Sequence, residues 1–206
     1  SLQLFQAGEF EESLSKLQVI VRVFPTREEP YFVTGTCLSM MGRYEEARKY
    51  FEKTISFKGG YGFTSKRSLL KIENTLGNFE KSVPILIEIE AESKGSKENR
   101  ALAAEDRQST LDAIMENAAK KIESKSYDDA LRLSDAGLTL ENASDLHLLR
   151  AISLLNLGDA AKAKEAFLTA QKLAPQGDHI KDIDDFLDQI KRGTWAGRKT
   201  YWSVSY

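Results

Sequence analysis

Met41-Gly42-Arg43-Tyr44-Glu45-Glu46-Ala47-Arg48-Lys49-Tyr50-Phe51-Glu52-Lys53 is the stretch that decides the fold. Gly42 permits a positive φ at low steric cost, which suits a tight turn between helices. Tyr44, two residues on, is placed to pack on the preceding helix. Ala47 is small enough to let paired helices approach closely. Glu45 and Glu46 sit in the first turn of the new helix, where negative charge favours the positive end of its dipole.

The same pattern recurs in both directions. Gly8-Glu9-Phe10-Glu11-Glu12-Ser13 precedes it by 34 residues without a gap, and Gly77-Asn78-Phe79-Glu80-Lys81-Ser82 follows it by 35. Lys125-Ser126-Tyr127-Asp128-Asp129-Ala130 and Gly158-Asp159-Ala160-Ala161-Lys162-Ala163 are later copies. The units depart from one another at defined places. Lys125 stands where the others have the turn glycine, and Ala160 where they have the aromatic residue.

This pattern resembles the tetratricopeptide repeat, a 34-residue helix-turn-helix unit, over most of the chain. The resemblance implies an all-α, right-handed α-solenoid of about five units, the first truncated, closed by a C-terminal capping helix. The expected repeats lie at about 1–27, 28–61 and 63–96, forming an N-terminal half over 1–96. Two more, at about 111–144 and 144–177, form a C-terminal half over 111–177. Between them, 97–110 breaks the period and reads as a linker or an extended helix. Residues 178–193 alternate Ile180, Ile183, Phe186, Leu187 and Ile190 with Asp182, Asp184, Asp185 and Asp188, the two-faced pattern that closes an open solenoid end. The aromatic tail, 194–206, contains both tryptophans.

Composition agrees with this class. The chain of 206 residues is 41% hydrophobic, which excludes a disordered chain, and having only four prolines with long stretches rich in Ala, Leu, Glu and Lys favours helix over strand. A formal net charge of -2 gives no global reason to expect nucleic acid or an anionic membrane surface. No apolar run reaches the roughly 18 residues of a membrane span. The opening Ser1-Leu2-Gln3-Leu4-Phe5-Gln6 reads as helix interior, so a fragment of a longer protein is expected. Cytoplasmic placement is the default expectation, which a targeting signal upstream of the given sequence would override.

The search for chemistry is nearly empty. Cys37 lies in a helical run and reads as a buried structural thiol. His147 and His179 lack the i, i+4 partner of a helical zinc site. Gly59-Gly60-Tyr61-Gly62 follows a helix and lacks the Gly-Lys-Ser/Thr ending of a phosphate loop. No catalytic residue, metal site or cofactor is expected, and the chain is read as non-enzymatic.

Function is therefore expected on a surface. In the family, first helices line a concave groove, and the resemblance carries its groove positions onto Phe32, Thr36 and Ser39; Arg67, Lys71 and Asn74; Met115, Ala119 and Ile122; Leu148, Ile152 and Leu155. Arg67 and Lys71 would meet acidic or polar groups. The Met115 to Leu155 set would be costly in water at about 25 cal/mol per Å². Its cover is either a partner, the capping helix or the tail, with Trp195, Tyr201 and Trp202 as possible tail contacts. The Lys/Asn clamp of heat-shock co-chaperones is absent, since its positions hold Phe32, Thr36 and Ser68 in one frame and Met115, Ala119 and Leu149 in another. The leading expectation is a scaffold or adaptor that binds a partner peptide or helix. The alternatives are a holding chaperone for hydrophobic segments of secreted or membrane-associated clients, and a regulatory domain of a larger enzyme.

Overall fold

The structure, a computed structural model, describes residues 10–194. It comprises α1 (Phe10–Val23), α2 (Glu28–Met40), α3 (Tyr44–Ser56), α4 (Gly62–Thr75) and α5 (Phe79–Ser93). There follow α6 (Lys97–Glu123), α7 (Tyr127–Leu140), α8 (Ser144–Asn156), α9 (Ala160–Leu173) and α10 (Ile180–Arg192). The fold is all-α, and no described residue lies in a strand. No described helix is long and apolar enough to cross a membrane. The chain divides into two compact units, Ser1–Gln108 and Ser109–Tyr206, the boundary falling within α6. The truncated helix expected at Ser1 to Ala7 lies outside the described residues.

One turn geometry builds the hairpins. After α2, the Gly42 amide donates to the Ser39 carbonyl (3.0 Å) and the Arg43 amide to the Leu38 carbonyl (2.9 Å). This crossed pair satisfies carbonyls that the helix end would otherwise leave orphaned, and it requires a left-handed residue at the turn. Gly77 and Asn78 make the equivalent bonds to Asn74 and Glu73, and Gly158 and Asp159 to Leu155 and Leu154. The φ angles of Gly42, Gly77 and Gly158 are 73°, 71° and 88°.

Lys125 takes the same left-handed conformation, φ 61°, with Lys125 and Ser126 amides donating to Ile122 and Lys121. A side chain in that conformation costs roughly 1–2 kcal/mol, partly offset by the greater unfolded-state entropy of glycine. Lys125→Gly is therefore expected to stabilise the protein by about 0.5–1 kcal/mol. A rise in the urea midpoint checks this, and a fall would show that Lys125 makes a compensating contact.

The small residues mark where paired helices meet. Ala47, Ser82, Ala130 and Ala163 are fully buried. Within the first unit, Ala47 and Phe51 join Leu14, Leu17, Cys37, Leu38 and Ile72 in one core. Close approach goes further at Gly35, where a Cβ would come within 3.0 Å of the Phe51 ring. Gly137 in the second unit is tighter still, since a Cβ there would lie 2.6 Å from Leu146 Cδ2.

Buried charge also ties elements of the first unit together. Glu73 on α4 is almost wholly buried, and its carboxylate accepts from Arg48 Nε (2.6 Å) and Nη2 (3.0 Å) on α3 and from Asn78 Nδ2 (2.9 Å). Arg107 on α6 grips Glu90 on α5 in the same two-pronged way, at 2.6 and 2.7 Å. Such forks fix geometry more firmly than single-point ion pairs.

In the second unit, α8 is buried on nearly every side, and its Leu148, Leu149, Ile152, Leu154 and Leu155 pack with Ala163, Ala166 and Phe167 of α9. Helix α10 closes this core. Ile183 and Phe186 join it, Leu187 and Ile190 pack against it, and the Phe186 ring stacks on Phe167 with centroids 5.1 Å apart. Gly193, φ 64°, ends α10 with the turn seen elsewhere.

Candidate functional site

The expected groove positions divide sharply between the two units. On α2, Phe32, Thr36 and Ser39 are half-buried. The Phe32 ring stacks on Tyr61 (centroids 4.8 Å apart, planes 25° apart) and tilts against Phe51 at 6.1 Å. The Thr36 hydroxyl donates to the Phe32 carbonyl at 3.0 Å, a bond within its own helix. On α4, Asn74 is half-buried and Lys71 is exposed with no ion-pair partner among the described residues.

Arg67 departs from expectation. Its Nε and Nη2 donate to Asp106 Oδ2 and Oδ1 at 2.5 and 2.9 Å, and Glu105 lies 3.5 Å from the same guanidinium. The Arg67 side chain is 14% exposed and that of Asp106 is 2% exposed. The charge read from the sequence as available to an acidic partner is thus held by a carboxylate of the same unit. The fork raises the Arg67 pKa above its ordinary value, the bond to Asp106 being the largest cause.

The second face requires a fuller correction. Leu148, Ile152, Leu155 and Ile122 are 1%, 1%, 2% and 7% exposed. They are core residues, and only Met115 and Ala119 of that set remain partly open. The physical reason is that the position pattern of a repeat tells which side of a helix faces away from its hairpin partner. It cannot tell whether neighbouring helices later close over that side. The tail contacts expected from Trp195, Tyr201 and Trp202 lie outside the described residues.

Reactive groups are held in structural roles. Cys37 is fully buried, its Sγ donates to the Phe10 carbonyl at 3.3 Å, and desolvation pushes the thiol pKa up, away from the nucleophilic thiolate. Among the described residues no group of three or more His, Cys, Asp or Glu could hold a metal ion. The glycine segment 59–62 is braced by Glu28, whose Oε1 accepts from the Tyr61 amide at 2.9 Å. A crevice of about 550 Å³ beside it includes Lys58, Lys66 and Glu92. Lys66 is already bound by Glu92 and Glu88 at 2.5 and 2.8 Å, so the crevice offers an anion no concentrated positive charge.

His147 carries a pH consequence. Its Nε2 lies 2.7 Å from Asn142 Oδ1, while Nδ1 is buried with no hydrogen-bond partner among the described residues. Desolvation, followed by the Arg150 charge, lowers its pKa below the ordinary 6.5. A histidine whose folded pKa is depressed stabilises the fold fully above about pH 6.5, and that contribution is lost as pH falls through the folded pKa. His147→Gln is therefore expected to show a smaller fall in Tm between pH 7 and pH 5 than the parent. Equal falls would remove His147 from the acid response.

Asp106 and Glu73 were not singled out by the sequence pattern. The signal for Asp106 was indirect, a helical insertion whose only large apolar residue is Leu102 and which therefore needs polar attachments. Nothing local distinguishes Glu73 from the many exposed glutamates.

The tetratricopeptide repeat model matches residues 29–59 and 144–176, one segment in each compact unit. No curated protein sequence matches the chain. Among solved structures, the P58(IPK) tetratricopeptide-repeat domain is 15% identical with a TM-score of 0.48, covering 93% of this chain and 62% of that one. The chain thus spans less than two thirds of that domain. YrrB, described as a tetratricopeptide-repeat protein with an unusual peptide-binding site, is 16% identical with a TM-score of 0.43, covering 89% and 87%. MamA from Desulfovibrio magneticus RS-1 is 17% identical with a TM-score of 0.41, covering 86% and 92%. With one matched segment in each compact unit, the chain carries tetratricopeptide repeats.

Proposed function

We propose that this chain is a non-enzymatic protein-interaction scaffold that receives a partner peptide or helix on the first-helix face of its first unit. One contrast carries the reading. The corresponding face of the second unit is built into its own core, whereas α2 and α4 leave Phe32, Thr36, Ser39, Lys71 and Asn74 partly or wholly accessible. A partly accessible aromatic ring on α2 and, on α4, a cation unpaired among the described residues offer an apolar anchor and a directional charge, the combination that favours specific recognition.

For the alternative of a holding chaperone, burial of Ile122, Leu148, Ile152 and Leu155 leaves the second unit's first-helix face little apolar surface for a hydrophobic client.

The test is a partner captured with the full-length protein and then measured against point variants. Lys71→Glu is expected to weaken a partner that uses this face by about tenfold while changing stability by less than about 0.5 kcal/mol, as exposed substitutions usually do. Phe32→Ala should weaken it too. A control on α9, Glu165→Lys, should leave binding unchanged. Partner binding indifferent to both Lys71→Glu and Phe32→Ala would place the interaction elsewhere.

A further inference from the structure

We propose that Asp106 is an internal stand-in for an acidic group of the partner, so that the first-unit face is an acidic-peptide site held partly closed by the chain's own carboxylate. This rests on the reading above that α2 and α4 present the binding face. The Arg67 guanidinium meets Asp106 through two parallel bonds, 2.5 and 2.9 Å, and this fork is the geometry by which arginine recognises any carboxylate. Lys71 lies four residues further along α4, on the same side of the helix, and is exposed and unpaired among the described residues. Two cations on one face, one occupied and one open, complement a partner segment carrying successive acidic residues.

The origin of Asp106 supports the assignment. It belongs to the stretch of α6 that interrupts the repeat period. Between Lys97 and Gln108 that stretch buries one apolar residue, Ala103, with Leu102 half-buried. Two arginine–carboxylate forks attach it to the first unit, Arg67 with Asp106 and Arg107 with Glu90. Glu105, 69% exposed and 3.5 Å from Arg67, adds a second competing carboxylate at the mouth of the contact. An arriving acidic side chain therefore competes with Asp106 and Glu105 for the same guanidinium.

The experiment uses the full chain and a dye-labelled, end-capped hexaglutamate peptide, with binding followed by fluorescence anisotropy at about 0.15 M salt, where solvent-exposed long-range attraction is largely screened. Asp106→Asn is expected to bind at least tenfold more tightly than the parent. The double variant Arg67→Gln with Asp106→Asn should lose that gain. Equal binding by the parent and Asp106→Asn overturns the proposal, as does a gain that survives in the double variant. Should Asp106→Asn fail to fold by circular dichroism, Glu105→Gln decides: a two- to threefold gain supports the proposal and no change overturns it. The scaffold reading fails separately, through partner binding that ignores Phe32 and Lys71.

Discussion

Ala47→Glu is expected to unfold the first unit. Ala47 is fully buried on α3, one turn after Gly42, in a core formed with Leu14, Leu17, Cys37, Leu38, Phe51 and Ile72. The side chains of that core are apolar groups and one thiol, none of which can pair with a new carboxylate. Burying an unpaired charge costs several kcal/mol even after relaxation, and forcing a longer side chain into a packed contact adds about 1–3 kcal/mol. Together these rival the whole stability of a small domain, roughly 5–15 kcal/mol. Hydrogen exchange read by mass spectrometry should show α2, α3 and α4 losing protection. Protection like that of the parent would mean that the α2–α3 contact does not hold the unit together.

The second large effect is expected at Glu73. Removing its carboxylate by Glu73→Ala takes both acceptors from Arg48 and the acceptor from Asn78 Nδ2. Breaking a buried pair by deleting one partner typically costs about 3–5 kcal/mol. Arg48 also bonds Glu45 at 2.5 Å and retains that exposed neighbour, which places the expected loss near the lower end of the range, about 3 kcal/mol. Replacing both partners with apolar residues of similar volume, Arg48→Met with Glu73→Leu, should restore stability to within about 1 kcal/mol of the parent, because no stranded charge remains. Urea midpoints measure both. A double variant as unstable as Glu73→Ala would show that shape, and not desolvated charge, dominates at this joint.

These two positions also mark how far the sequence could be read. Ala47 was legible because its role is local and periodic. It stands five residues after a turn glycine, as do Ser82 and Ala163, and the same spacing after Lys125 marks Ala130. All four are fully buried at helix contacts. Lys125 was legible as a departure from the pattern, and the backbone there pursues the glycine geometry regardless, φ 61°, because the flanking helices impose the turn. The final amphipathic helix was legible for the same reason, since its apolar stripe recurs with helical period.

The proposed binding face was legible only in part. Phe32, Thr36, Lys71 and Asn74 remain accessible to different degrees. Arg67 stands at an equivalent position but is taken by Asp106, 39 residues away. Had Arg67 been free, Arg67→Glu would have tested partner binding without touching stability. As folded, it would set a second carboxylate against buried Asp106.

The sequence by itself determined the repeating unit, because turn glycines, small contact residues and helical stripes act over spacings of two to eight residues. Their physics is complete within one hairpin. Only the tertiary structure decided which first-helix residues stay open. Burial of Leu148, Ile152 and Leu155 and the pairing of Arg67 with Asp106 depend on which helices come to lie beside them. A side chain's exposure and a charge's availability are properties of what surrounds it, and those surroundings come from residues far along the chain that no local pattern names.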